Sequence, residues 1–136
     1  MTIVDTSVWI DFLEGGEHWT IDRLKECLRV RESVAFTEMI LLEILQGIRT
    51  RVDREEIEQK FNPFLCLEAK RSTSRLAAEI YQGLQRKGIR IRSIIDCLIA
   101  AVSIETGARI LHKDRDFEFI ATYYPVVVAK ESDANK

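Results

Sequence analysis

The strongest constraint on this chain is an alternation. Short apolar runs at residues 2–5, 33–36, 64–67, 109–112 and 124–128 are separated by stretches with helical periodicity. Runs of this length that are apolar throughout suit strands buried on both faces, and strands separated by helices require parallel crossovers. The expected fold is therefore α/β: a three-layer α/β/α sandwich with a mostly parallel, about five-stranded sheet.

The punctuation agrees. Asp5-Thr6-Ser7 opens a helix that Gly15-Gly16 stops, and residues 21–28 form a second. Thr37 caps a helix ending near Gly47, and 54–61 is polar and helical. Residues 72–86 carry Leu76, Ala77, Ile80, Tyr81 and Leu84 at helical spacing. Ser93 opens a helix over 94–106 that Gly107 ends, and 114–120 forms a short last one. Residues 1–130 read as one domain. Residues 131–136 lose the apolar pattern and read as a mobile tail.

Composition narrows the class. The chain has 136 residues, 46% of them hydrophobic and 31% charged, with a net charge of −2. This describes a globular chain rather than a disordered one, and no apolar run reaches membrane-spanning length. The start carries no signal-peptide pattern. Cys27, Cys66 and Cys97 are odd in number and show no C-x-x-C spacing, so core packing in a reducing cytoplasm is expected. The overall charge offers no field for nucleic acid. Any attraction must be local, as in Arg86, Lys87, Arg90 and Arg92, or Arg49, Arg51 and Arg54.

The acids carry the chemistry. Asp5 ends the first strand and opens a helix, a position open to an N-cap as well as to a ligand. Glu43 lies in a helix apolar on almost every face, which places it near the interior, where an unpaired carboxylate needs a cation or hydrogen bonds. Asp96 is three residues after Ser93, a capping-box spacing that also suits a carboxylate facing a cleft. Asp114 and Asp116 share a strand-to-helix corner, and one of them is expected to cap. Parallel sheets bind ligands beyond the carboxyl ends of their strands. Acids converging there would repel severely without cations, and oxygen-only ligands select hard ions such as Mg²⁺ or Mn²⁺.

Other chemistries lack parts. There is no P-loop, no G-x-S-x-G elbow and no second Asp two residues after Asp5. His18 reads as solvated, and His112 as a satisfied histidine near the site. Trp9 could stack a base, although core packing explains it better.

In order and spacing, Ile3-Val4-Asp5-Thr6-Ser7-Val8-Trp9-Ile10, Glu43-Ile44-Leu45-Gln46-Gly47, Asp96-Cys97-Leu98-Ile99-Ala100-Ala101 and Leu111-His112-Lys113-Asp114-Arg115-Asp116-Phe117 resemble a PIN domain. Within that family they resemble the VapC toxins of bacterial type II toxin–antitoxin systems. The resemblance implies an endoribonuclease that hydrolyses phosphodiester bonds with a metal-activated water. Its catalytic acids would be Asp5, Glu43, Asp96 and Asp114. Mg²⁺ or Mn²⁺ would be held mainly by Asp5 and Asp96, with Asp114. Thr6 or Ser7 resembles the hydroxyl that supports the first Asp. His112 and Lys113 stand where the family often has Thr or Asn. A small VapB-like antitoxin in a groove along the early helices, a basic antitoxin side chain in the acidic site, and a homodimer are also implied. The alternative is a catalytically inactive PIN-like module that binds RNA or protein.

Overall fold

The computed structural model describes residues 1–131. The strands are β1 (Thr2–Val4), β2 (Val34–Phe36), β3 (Leu65–Cys66) and β4 (Arg109–Leu111). The helices are α1 (Thr6–Leu13), α2 (Trp19–Arg29), α3 (Glu38–Leu45), α4 (Arg51–Lys60), α5 (Arg71–Arg86), α6 (Ile94–Thr106) and α7 (Arg115–Tyr123). The strands form one parallel sheet in the order β3-β2-β1-β4, with Ile3 opposite both Ala35 and Ile110. β1 and β2 are buried along their whole length, as their apolar composition requires.

Topology places the site. The chain steps from β1 to β2 to β3 in one direction, so right-handed crossovers put α1 to α4 on one face. The return from β3 to β4 crosses the whole sheet and puts α5 and α6 on the other. The packing follows: α1 lies against α2 and α3, and α3 against α4, while α6 lies against α5, α7 and β4. The chain therefore leaves β1 toward one face and β4 toward the other. Adjacent strands whose connections diverge leave a crevice at their carboxyl ends.

Sequence and structure differ in detail. The expected fifth strand is a single bridge between Ile110 and Val128, flanked by hydrogen bonds from Ile110 N–H to Val127 O (2.9 Å) and from Ala129 N–H to Ile110 O (2.8 Å). Pro125, just upstream, has no N–H to extend a ladder. Residues 132–136 of the expected tail lie outside the described part. Gly107 ends α6 at φ 76°, a left-handed conformation that glycine adopts without a Cβ penalty. Trp9 is 4% exposed and packs against Phe12, Phe61 and Phe64, so it belongs to the core. Among the described residues no helix is long and apolar enough to cross a membrane.

Candidate active site

The crevice is lined by acids from both faces. Asp5 prolongs β1, its N–H donating to Leu111 O at 2.9 Å, and it caps α1 by accepting from Ser7 N–H. The Ser7 hydroxyl donates to Asp5 Oδ2 at 2.6 Å and accepts from Lys113 N–H at 3.2 Å. One hydroxyl thus ties the end of β1 to the corner after β4. Lys113 strengthens that tie through an ion pair from Nζ to Asp11 Oδ2 at 2.6 Å.

Asp96 is buried in the first turn of α6. Ser93 caps that helix by accepting from Ile95 N–H at 3.2 Å. The Asp96 carboxyl lies beside that of Asp116. Asp114 and Asp116 divide the roles at their corner. Asp114 is the N-cap of α7, its Oδ1 accepting from Asp116 N–H at 2.9 Å. Asp116 is 1% exposed, and its Oδ2 accepts from Arg92 N–H at 3.0 Å. Oxygens of Asp96, Asp114 and Asp116 all lie within 4.8 Å of one another.

Asp116 is the residue that sequence reasoning left undecided. A cap and a buried acid two positions apart carry the same residue type, and only the turn of α7 separates them. The signal available was Phe117, which is fully buried and fixes the inward face of that turn.

Glu43 sits less deep than its apolar neighbours suggest. It is half-buried, and its neighbour Leu42 is 56% exposed. Only Ile40 and Ile44 of α3 are buried. The Glu43 carboxylate accepts from Thr6 Oγ1 at 3.0 Å and is close enough to Asp5 to feel its charge. His112 is buried beside the cluster. Its Nδ1 accepts from Asp114 N–H at 3.1 Å, which leaves the proton on Nε2 for Glu118 at 3.1 Å. His112 therefore holds the backbone of Asp114. His18 caps α2.

The electrostatics follow from crowding. Burial first, then the charges of Asp114, Asp5 and Asp116, push the Asp96 carboxyl up to about 8. Burial raises Asp5 against the pull of its Ser7 and Thr6 hydrogen bonds, and raises Glu43 against that of Thr6. Like charges in a desolvated cleft are relieved by protons or by a cation. The donors are all carboxylate oxygens, a set that fits a hard divalent cation. Asp96, Asp114 and Asp116 would hold it, with Asp5 across the crevice.

The basic residues mostly lie elsewhere. Arg51 pairs with Glu55, Arg54 donates to Ile48 O and Arg49 O, and Lys87 lies over the Tyr123 ring. Arg92 is the member of the expected patches that reaches the acids, through Nη2 to Asp114 Oδ1 at 3.2 Å.

Known proteins place this geometry. Residues 2–122 match the PIN domain family model. The chain is 35% identical over 123 residues to ribonuclease VapC11 of Mycobacterium tuberculosis, covering 89% of this chain and 92% of that one. Its fold is similar to the crystal structure of VapBC2 from Rickettsia felis bound to a promoter DNA fragment, with TM-score 0.74 at 14% identity, covering 94% and 96% of the two chains. It is equally similar to VapBC-1 from nontypeable Haemophilus influenzae, with TM-score 0.74 at 14% identity over 96% and 98%. PIN-domain nucleases use divalent metals, and the buried acid cluster here is of the kind such metals need. The chain belongs to the PIN-domain family, in its VapC ribonuclease group.

Proposed function

We propose that this protein is the toxin of a type II toxin–antitoxin system, a Mg²⁺- or Mn²⁺-dependent endoribonuclease acting in the cytoplasm. The observation that carries the reading is the convergence of Asp96, Asp114 and Asp116 beside Asp5 at the sheet's switch point, in a chain of the VapC group. Asp5, Asp96, Asp114 and Asp116 are the metal-holding residues, and Glu43 shapes the charge on the Asp5 side. A divalent cation bound there supplies Lewis acidity toward a phosphate oxygen and lowers the pKa of a bound water. The protein's part is to hold its carboxylates in place. Ser7 fixes Asp5, the Arg92 backbone fixes Asp116, and His112 fixes the Asp114 backbone.

The partner is a small VapB-like antitoxin. Ile10 and Leu13 on α1, Leu42 on α3 and Val52 on α4 are exposed apolar side chains on the early helices, where such a partner would dock. A basic antitoxin side chain would relieve the same repulsion as the metal. The working form is a homodimer.

The test is RNA cleavage by the purified protein. Wild type cleaves with Mg²⁺ or Mn²⁺ and not in excess EDTA. Asp5→Asn and Asp96→Asn each fold and lose cleavage. Full activity in either variant, or in EDTA, contradicts the proposal. RNA binding without cleavage under any metal would establish the inactive-module alternative instead.

A further inference from the structure

Arg92 makes two contacts of different kinds with the acid cluster. Its backbone N–H donates to Asp116 Oδ2 at 3.0 Å, and its Nη2 donates to Asp114 Oδ1 at 3.2 Å. The first fixes where the residue stands. The second engages one end of a fork with five N–H donors. The side chain is 66% exposed, against 24% for Asp114, so the guanidinium sits at the rim with its remaining donors toward solvent. Asp114 Oδ1 also accepts from Asp116 N–H at 2.9 Å. The orientation of Asp114 therefore does not depend on Arg92, and the ion pair is a charge contact rather than a structural one.

Resting on the ribonuclease reading above, we propose that Arg92 is a phosphate-binding residue for the RNA substrate, kept at the site by Asp114 until a divalent cation takes up that carboxylate's charge. In the metal-free cluster the guanidinium offsets one of the crowded carboxylates. A cation among Asp96, Asp114 and Asp116 would replace that compensation and repel the guanidinium. The freed fork, exposed beside the cluster, would then be available to a phosphodiester, whose two phosphate oxygens its planar geometry suits. Metal loading and substrate capture are thereby linked through one side chain. The other basic residues of the segment lack this link. Lys87 is engaged with the Tyr123 ring instead.

The test uses Arg92→Gln and Arg92→Lys in the full chain. Manganese titration by calorimetry without RNA should show Arg92→Gln binding Mn²⁺ about 3- to 10-fold more tightly than wild type, because an exposed competing ion pair is weak but real. In steady-state cleavage of a short single-stranded RNA, Arg92→Gln should raise KM more than it lowers kcat. It should also flatten the dependence of log(kcat/KM) on log salt by about 0.7, the loss of one phosphate contact. Arg92→Lys should keep the salt slope. Unchanged or weaker Mn²⁺ binding by Arg92→Gln, or an unchanged salt slope, overturns the proposal. If wild type cleaves no RNA with any divalent cation, the ribonuclease reading fails, and the manganese titration still decides whether Arg92 competes for Asp114.

Discussion

The two ends of β1 treat acidic side chains in opposite ways. At the amino end, Glu32 accepts from Thr2 Oγ1 at 2.9 Å and from Cys27 Sγ at 3.3 Å, and pairs with Arg23 at 3.7 Å. Burial alone would raise its pKa, but the Cys27 and Thr2 hydrogen bonds and the Arg23 charge outweigh that and lower it. At the carboxyl end, Asp5 remains raised despite its hydrogen bonds, and burial with the neighbouring acids raises Asp96. One end neutralises its carboxylate with the protein's own groups. The other leaves an excess of negative charge that the single Arg92–Asp114 pair does not balance and that protons or an external cation would relieve. A fold keeps unresolved charge where it has a use for it.

Three substitutions separate the ends, in falling order of effect. Asp96→Asn at the carboxyl end should remove RNA cleavage altogether while the far-ultraviolet circular dichroism is unchanged. Glu32→Gln at the amino end should do the reverse, leaving kcat/KM near wild type while urea melts show a loss of about 1–2 kcal/mol, the usual cost of disrupting a half-buried charged hydrogen-bond hub. If Glu32→Gln abolishes cleavage with the fold intact, the division between the ends is wrong. Ser7→Ala cuts the tie between Asp5 and Lys113. It should weaken Mn²⁺ binding and cleavage by about 10- to 100-fold, as expected for a partner that orients a ligand. Wild-type behaviour of Ser7→Ala would mean that Asp5 holds its place unaided.

A further effect is on stability against pH. In the metal-free protein the folded chain keeps a proton on Asp96 up to about 8, whereas the unfolded chain releases it near 3.8. The unfolded state then binds fewer protons between those values, so stability falls as pH rises. This contribution is fully present below the unfolded value and lost on climbing through the folded one. In EDTA, the melting temperature of wild type should fall relative to Asp96→Asn between pH 5 and pH 8, and Mn²⁺ should close the gap. Parallel pH profiles for the two proteins would show that Asp96 is not under strain.

Much of this was legible in the sequence because it is local. Apolar runs and caps give β1, β2, β4 and the cap positions Thr37 and Ser93, with a third cap narrowed to Asp114 or Asp116. The acid at the end of β1 follows from strand topology. What was not legible depends on how distant segments meet. The burial of Glu43 was overestimated because apolar side chains such as Leu42 face outward, as they would for a partner rather than a core. Asp116 needed the turn of α7, and the contact of Arg92 with Asp114 needed the path of the connection between α5 and α6. The last strand shrank to the one bridge between Ile110 and Val128, with Pro125 upstream unable to extend the ladder.

The central claim is that the carboxyl end of the sheet is a cation site and the amino end is not. Diffraction from a manganese-soaked crystal, with anomalous density located at the metal's absorption edge, tests it most directly. The account predicts a peak coordinated by Asp96 together with Asp114 or Asp116, facing Asp5, and none at Glu32. No peak at the acid cluster at saturating Mn²⁺, or a peak at Glu32 instead, would contradict it.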